Sequence, residues 1–502
     1  MKSPEAVDYV TGIVGAGAMG QGIAQVSVLG GMRTFLLDSQ PGAATAAVAS
    51  IAGRLDRLVE KGRLDLAEAG AAKARLQAVA GVADLAPCDV VIEAIFEDLE
   101  AKRALFQEIE ATVTPECLIV SNTSSIPIAA IARACDRRER IAGLHFFNPV
   151  PVMQLVEVIR GPETGEAAIT ALAALGRRLG RVPVTVQDSP GFLVNLGGRA
   201  MTTEGLRLAH EAVATPAQID AIMRDCAGFR MGPFELMDLT GIDVNFPVSQ
   251  IVYDGYMQDP RLRTAPNHKA LFDAGHLGRK TGGGWYRYDT GGRMVDPPSP
   301  DHRSDAAPAR RVALAEADEG LSAFCTQAGL SVAKDDGVLP ILAAPLGDDA
   351  TRTALRTGVD FRRLVALDLT GETTKRITLM TAPGADPGVR DAVAAAMAAS
   401  GRKVTAIKDS PGFIAQRLCA MIANLGCYMA EIALASPQDI DLAMKLGLNY
   451  PHGPLELAEC LGVKTTCAIL ERLQAITGED RYRPTLWLGR RAALGLPIHT
   501  PN

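Results

Sequence analysis

The stretch Val10-Thr11-Gly12-Ile13-Val14-Gly15-Ala16-Gly17-Ala18-Met19-Gly20, running on into Gln21-Gly22-Ile23-Ala24-Gln25-Val26, decides the fold. A short apolar, β-branched run enters a GxGxxG loop and leaves it as a helix-like segment, so the pattern predicts strand, glycine turn, helix. With 49 Gly in 502 residues, three glycines at this spacing arise by chance about 0.5 times in such a chain. The weight therefore comes from the next strand. Thr34-Phe35-Leu36-Leu37 ends at Asp38, where a dinucleotide fold needs a carboxylate for the adenosine ribose hydroxyls. Gly15 and Gly17 lack a Cβ, so backbone amides can approach a pyrophosphate. Gly20 allows close helix packing, the helix N-terminus favours an anion, and Ala18 and Met19 in the same loop are candidate cofactor contacts. A carboxylate at Asp38 repels a 2′-phosphate, which predicts NAD over NADP; Arg33 is the weaker alternative as a phosphate clamp.

The rest of the composition narrows the class. The chain is 48% hydrophobic and 22% charged, the profile of a globular protein of about three or four domains at roughly 100–200 residues each. A formal charge of −6 gives no field to attract a nucleic-acid backbone. No apolar leader precedes Val10 and no run of about 18 apolar residues occurs, so neither a membrane span nor secretion is expected, and the expected location is cytoplasmic. Nine scattered cysteines without a CxxC pair suggest reduced thiols, and the histidines lack ligand spacing, so no metal site is expected.

Further along, Asp89 to Ala94 reads as a strand, Glu97 to Glu110 as a helix, and Cys117-Leu118-Ile119-Val120 as a strand ending at Ser121-Asn122-Thr123-Ser124-Ser125. Strand ends of an open sheet are where ligands sit. The segment from Ile141 to Ile159 reads as strand, turn, strand, with Pro149 and Pro151 in the turn. Folding back brings Glu157 alongside His145, and a carboxylate on one imidazole nitrogen fixes the tautomer and raises the basicity of the other. That is a general base with its orienter.

Gly15-x-Gly17-x-x-Gly20, Ser121 to Ser125, His145-Phe146-Phe147-Asn148-Pro149-Val150-Pro151 with Glu157, Asp188-Ser189-Pro190-Gly191-Phe192-Leu193-Val194-Asn195, and Gly278 to Tyr286 together resemble the L-3-hydroxyacyl-CoA dehydrogenases in order and spacing. The resemblance covers about residues 8–290, with Trp285 in the family's Phe position. It implies a Rossmann domain followed by a helical domain, and oxidation of the 3-hydroxyl of an acyl-CoA by NAD. It further implies His145 as base, Glu157 stabilising the imidazolium, and Ser124 and Asn195 bonding the substrate oxygen. Glu97, Lys102 and Asn122 would lie at the cofactor. Arg54, Arg57, Lys61 and Arg63 would meet the CoA phosphates or form a solvated basic face. Two alternatives remain open: a free 3-hydroxy acid or sugar acid as substrate on the same fold, or a non-catalytic NAD-binding protein. Arg199 or Arg230 is a candidate contact for an acyl chain ending in a carboxylate.

Asp409-Ser410-Pro411-Gly412-Phe413 repeats Asp188 to Phe192 at an offset of 221, which also maps Pro216 onto Pro437, Gly232-Pro233 onto Gly453-Pro454 and Gly241 onto Gly462. The second half is a copy. Without gaps, His145 falls on Ala366, Glu157 on Thr378 and Asn195 on Gln416, and nothing matches residues 10–85, so the copy lacks cofactor loop and base. The expected architecture is an NAD-binding Rossmann domain (1–187), a helical domain (188–289), an exposed linker (290–309), a reduced Rossmann-like domain (310–408) and a second helical domain (409–502). Long dehydrogenases of phenylacetate and short-chain hydroxyacyl-CoA metabolism look like this. The helical domains, which pair between subunits in short family members, are expected to pair within this chain, with further homo-oligomerisation open.

Overall fold

The computed structural model describes residues 1–502. The chain divides into two compact units, Met1–Leu196 with Ala433–Leu448, and Gly197–Ile432 with Asn449–Asn502.

The first unit is built on eight strands: β1 Val10–Val14, β2 Arg33–Leu37, β3 Leu76–Ala78, β4 Val90–Glu93, β5 Leu118–Ser121, β6 Ile141–Phe146, β7 Leu155–Arg160 and β8 Val182–Gln187. They lie in the order β3-β2-β1-β4-β5-β6-β7-β8. All neighbours are parallel except β6 and β7. Parallel strands covered on both faces are apolar throughout, and β4 (VVIE) and β5 (LIVS) are buried at every residue. The chain winds outward both ways from β1 and β4, so their C-terminal ends flank the switch point where ligands bind in doubly wound sheets. The segment Ala433–Leu448 completes this unit: helix Pro437–Leu448 lies against β7 and β8, and the Gln187 N–H donates to the Leu434 carbonyl at 2.9 Å.

The second unit opens with helices, a small hairpin of β9 (Arg287–Tyr288) and β10 (Met294–Val295), and then a sheet of β11 Arg311–Leu314, β12 Ser331–Val332, β13 Ile341–Ala343, β14 Leu364–Asp368, β15 Arg376–Met380 and β16 Lys403–Ile407. Their order is β12-β11-β13-β14-β15-β16, with only β14 and β15 antiparallel. Nothing corresponds to β2 and β3. The Lys408 N–H donates to the Val213 carbonyl at 3.0 Å, the bond that the offset of 221 predicts from Gln187 and Leu434. Each copy's sheet thus carries, on its last strand, a segment from the other copy's helical part. Helices Arg199–His210 and Ala415–Glu431 pack together around a buried charge cluster. Glu204 Oε1 accepts from Arg417 Nε at 2.5 Å and from the Tyr482 hydroxyl at 2.7 Å, and Glu204 Oε2 lies 3.0 Å from Arg481 Nη2.

Three expectations change. The turn between β14 and β15 is two residues shorter than that between β6 and β7, since Thr378 pairs with Asp368 where Glu157 pairs with His145. Asp368, not Ala366, therefore stands at the position of His145. The stretch 290–309 is exposed as expected, with no buried residue, but it is not a free linker: β10 pairs with β9, Asp301 meets Arg376 at 2.9 Å, and the His302 N–H donates to Val404 at 2.7 Å. The helix expected from Glu97 begins at Leu99, because the Asp98 carboxylate caps it through the Ala101 N–H.

The Asp188 motif makes the same turn in both copies. Asp188 accepts from the N–H groups of Ile128 and Ala129, and Asp409 from those of Ala350 and Thr351. Phe192 and Phe413 take φ of 50° and 49°. A turn kept in both copies, whether or not the glycine loop precedes it, serves architecture.

Replacing Glu204 by Gln leaves two buried guanidinium groups facing an uncharged amide, at a cost of about 3–5 kcal/mol. Both tryptophans, Trp285 and Trp487, lie in the second unit, so urea unfolding followed by tryptophan fluorescence reads that unit. Burial alone would raise the Glu204 pKa; Arg481 and Arg417 outweigh it and lower the pKa from 4.5 to about 2. The folded value is depressed, so this contribution is complete above about pH 4.5 and is lost as pH falls toward 2. The stability gap between wild type and E204Q should narrow below pH 4.5; a gap unchanged down to pH 3 contradicts the assignment.

Candidate active site

The glycine loop joins β1 to helix Ala18–Leu29. Gly15 adopts φ +107°, and a Cβ there would stand 2.4 Å from the Ala94 carbonyl oxygen. Its N–H is already given to Leu37 at 2.8 Å. Gly15 is thus required by backbone conformation and packing, and not, as its place in the motif suggests, by the approach of its amide to a ligand. A Cβ at Gly20 would fall 1.8 Å from the Gly15 carbonyl oxygen, so this glycine permits the helix to start where it does. Gly17 differs: no atom lies within 4 Å of the place a Cβ would take. No side chain caps the helix at Gly17, leaving the first-turn N–H groups, from Ala18 onward, as donors for an anion. Asp38 accepts from the Ala16 N–H at 2.7 Å and the Gln40 N–H at 2.9 Å. Each of its oxygens keeps a further lone pair, enough for a ribose diol. An open glycine face, an uncapped helix start and a fixed carboxylate fit a dinucleotide.

The ends of β4 and β5 form a second polar group. Glu93, fully buried, accepts from Lys102 Nζ at 2.5 Å, the Ser121 hydroxyl at 2.6 Å and the Ile95 N–H at 2.8 Å. The Lys102 ammonium is buried too and lies 3.3 Å from Glu97 Oε2. Glu97 in turn accepts from the Thr123 hydroxyl at 2.5 Å, the Ser125 hydroxyl at 2.9 Å and the Ser124 N–H at 3.3 Å. Burial would raise the Glu97 pKa, but the Thr123 hydrogen bond and the Lys102 charge outweigh it and hold the carboxyl below its ordinary range. Of this chain, Glu97 keeps some exposure and Lys102 has none, so Lys102 acts by holding Glu97. Asn122 Oδ1 accepts from the Phe146 N–H at 2.8 Å, fastening the end of β5 to the end of β6.

At the end of β6, antiparallel pairing sets His145 opposite Glu157. Their contact, His145 Nδ1 to Glu157 Oε2, is 2.6 Å. Glu157 is wholly buried, and its other oxygen accepts from the N–H groups of Leu193 (3.1 Å) and Val194 (2.9 Å). A carboxylate so held accepts from Nδ1–H and leaves Nε2 with its lone pair. Phe147 and Phe192 stand 4.5 and 6.0 Å from the imidazole, ring centre to ring centre, lowering the local dielectric around it. Asn195 follows on the short helix Val194–Gly197, and its Nδ2 donates to the Ser124 carbonyl at 3.3 Å. The structure thus gathers Ser124, His145, Glu157 and Asn195. A buried base with a free nitrogen, beside neutral donors, can take a proton from a hydroxyl.

Arg54 is half-buried and donates to Gln21 Oε1 at 2.7 Å, whose amide donates to the Ala16 carbonyl at 2.8 Å, so it braces the glycine loop. Lys61 is exposed at the turn after helix Ala43–Glu60. The sequence reading missed Glu93, Thr123 and Ser125 as members of the polar group. A carboxylate at the end of an otherwise apolar strand, nine residues before a lysine on the next helix, was the available signal.

A model of the NAD binding domain of 3-hydroxyacyl-CoA dehydrogenase matches residues 10–189. A model of that family's C-terminal domain matches twice, at 191–288 and 412–497. The chain is similar to the 3-hydroxyadipyl-CoA dehydrogenase of Escherichia coli K12, 38% identical over 487 residues that cover 96% of this chain and 97% of the relative. It is 39% identical over 283 residues to the 3-hydroxybutyryl-CoA dehydrogenase of Bradyrhizobium diazoefficiens, covering 56% of this chain and 96% of that one. Among solved structures, 3-hydroxybutyryl-CoA dehydrogenase from Escherichia coli K12 superposes with a TM-score of 0.86 at 36% identity, over 97% of this chain and 98% of that one.

The glycines separate binding from folding. Gly17→Ala should fold with an unchanged melting temperature and bind NADH at least tenfold more weakly by fluorescence titration, whereas Gly20→Ala should lower the melting temperature or prevent folding. NADH binding by G17A equal to wild type contradicts the placement.

Proposed function

Because this chain belongs to the 3-hydroxyacyl-CoA dehydrogenase family, we propose that its one active site is built on the His145–Glu157 pair. The reaction is the oxidation of the 3-hydroxyl of an (S)-3-hydroxyacyl-CoA to the 3-oxoacyl-CoA. When bound, NAD supplies the acceptor for the C3 hydride.

The chain's own residues then do four things. His145 Nε2 takes the hydroxyl proton, and Glu157, already accepting from Nδ1–H, stabilises the imidazolium that results. Ser124 and Asn195 orient the substrate oxygen and stabilise charge as it develops. Gly17, Ala18, Met19 and Gly20 present N–H groups to the pyrophosphate, and Asp38 accepts from the adenosine ribose. Glu97, kept ionised and in place by Lys102 and Thr123, accepts from the nicotinamide ribose, with Asn122 fixing the floor of that site. Arg54 and Lys61 supply positive charge for the phosphates of CoA.

The observation that carries this reading is the 2.6 Å contact between His145 Nδ1 and a carboxylate already holding two N–H donors. The second half supplies scaffold: Asp368, Thr378 and Gln416 replace base, orienter and amide, and pairing of the helical parts around Glu204 within one chain takes the place of pairing between subunits. No helix is long and apolar enough to cross a membrane; nine free cysteines, most of them buried, support a reducing, cytoplasmic setting. The name of the full-length relative supports an acyl chain that ends in a carboxylate.

NADH oxidation at 340 nm with acetoacetyl-CoA tests the assignment. His145→Gln should lower kcat by about 10²–10⁴, and Glu157→Gln by about 10³, because an amide can present its NH₂ to Nδ1 and invert the tautomer. Turnover of free acetoacetate equal to that of the thioester, or full activity in H145Q, contradicts it.

A further inference from the structure

The polar group at the ends of β4 and β5 contains a buried ion pair that the fold does not require. Glu93 and Lys102 are 0% and 1% exposed. Taking two opposite charges out of water is repaid only by excellent geometry and further hydrogen bonds, and packed apolar residues of similar volume often serve stability as well or better. The duplicated half does without the pair. Glu93 stands opposite Ser121 across β4 and β5; at the offset of 221, Leu314 stands opposite Leu342 across β11 and β13. The two following helices are capped alike, by Asp98 on the Ala101 N–H and by Asp318 on the Leu321 N–H. Aligning those caps sets Ala317 in the place of Glu97 and Ser322 in that of Lys102. Glu316, one position earlier, pairs with Arg356 instead. The copy without a glycine loop therefore builds the same strand ends and helix start with none of the three charges.

The distances show how the charge is shared. Lys102 Nζ lies 2.5 Å from Glu93 Oε1 and 3.3 Å from Glu97 Oε2. Two carboxylates and one ammonium leave a net charge of −1, and the ammonium is committed chiefly to Glu93. Glu97 is the member open to a ligand, its side chain 38% exposed. Lys102 and hydrogen bonds from Thr123 and Ser125 hold its carboxyl below the ordinary range, so it stays ionised at neutral pH. In the sheet order β2-β1-β4-β5-β6 the cluster stands between the glycine loop after β1 and His145 at the end of β6. A dinucleotide crosses a doubly wound sheet at the switch point. With Asp38, after β2, taking the adenosine end, the nicotinamide end falls over β4, β5 and β6.

Hydride transfer removes the positive charge of the nicotinamide ring. A fixed negative charge near the ring therefore acts on the two redox forms of NAD unequally, whereas a hydrogen bond to the ribose, which both forms share, acts on them alike. We infer that the Glu93–Lys102–Glu97 cluster biases the site toward NAD⁺ over NADH, and that Glu93 is a positioning residue that keeps Lys102 from neutralising Glu97. The inference rests on the cofactor placement proposed above and adds a redox preference to it. In the oxidative direction such a bias favours exchange of the reduced product for fresh oxidised cofactor.

Equilibrium binding without substrate tests this, with NADH followed by its fluorescence and NAD⁺ by displacement of NADH, in full-length wild type, E97Q, E93Q and E93Q/K102M. The quantity read is Kd(NADH)/Kd(NAD⁺). One charge at about 6–10 Å under an effective dielectric of about 20 changes such a ratio roughly 10–100-fold. E97Q should lower it about tenfold, the smaller figure because Glu97 is partly exposed. E93Q leaves Glu97 in place but lets Lys102 cancel its charge, and should lower the ratio about fivefold. E93Q/K102M restores the net charge of −1 and should bring the ratio back to within about twofold of wild type. A merely structural role would weaken both forms together and leave the ratio unmoved. If E93Q does not fold, E97Q and the double variant, which buries no unpaired charge, still decide. A ratio unmoved in E97Q or in folded E93Q, or one that E93Q/K102M lowers as far as E97Q does, overturns the inference; a wild type that binds neither form overturns the cofactor placement beneath it.

Discussion

A carboxylate with no exposure to water must be given donors by the protein, and the one at Glu157 receives three: His145 Nδ1 and the N–H groups of Leu193 and Val194. Those donors come from the neighbouring strand and from the turn after β8. Satisfying one buried charge therefore fixes the register of β6 against β7, the start of the short helix that carries Asn195, and the tautomer of His145. Loss of any one leaves a charge uncompensated in the core, which is far more costly than the loss of an ordinary hydrogen bond. Stability and the proposed chemistry rest on the same group.

The duplicated half separates the two kinds of residue. Its retained features are geometric: the Asp409 carboxylate on two N–H groups, the positive φ of Phe413, and the exchange of segments that puts Val213 on the Lys408 N–H as Leu434 is on that of Gln187. Its changes are chemical. Asp368 stands opposite Thr378, and Gln416 donates to Asp368 at 3.0 Å. No imidazole and no orienting carboxylate remain. The glycine loop has no counterpart, and the place of β1 is taken by β12, which comes after β11 in the chain.

Much of this was legible in the residues. Strand, glycine loop and helix could be read because parallel strands are apolar throughout and the loop glycines are spaced by the geometry of the turn. His145 and Glu157 could be paired because a tight turn leaves few registers. Other features had no local signal. The shorter turn between β14 and β15 is a two-residue gap, invisible to a comparison at constant offset, so Ala366 was matched where Asp368 belongs. Lys102 reads as one more charge on a helix, and only the fold brings it to Glu93, nine residues back. The exchange of helical segments depends on contacts between residues 247 apart (Gln187 and Leu434) and 195 apart (Lys408 and Val213), which no periodicity records. Gly15 looked like a ligand contact because sequence reveals a missing Cβ but not the backbone it must avoid.

The proposed chemistry turns on Glu157 holding His145 with the proton on Nδ1 and a lone pair on Nε2. Nitrogen-15 NMR of histidine-labelled enzyme, with the His145 resonance assigned by its loss in H145Q, reads that tautomer directly. The expected result is a neutral imidazole protonated at Nδ1 at alkaline pH, and loss of that preference in E157Q. A resonance showing the proton on Nε2, or a tautomer that E157Q leaves unchanged, contradicts it.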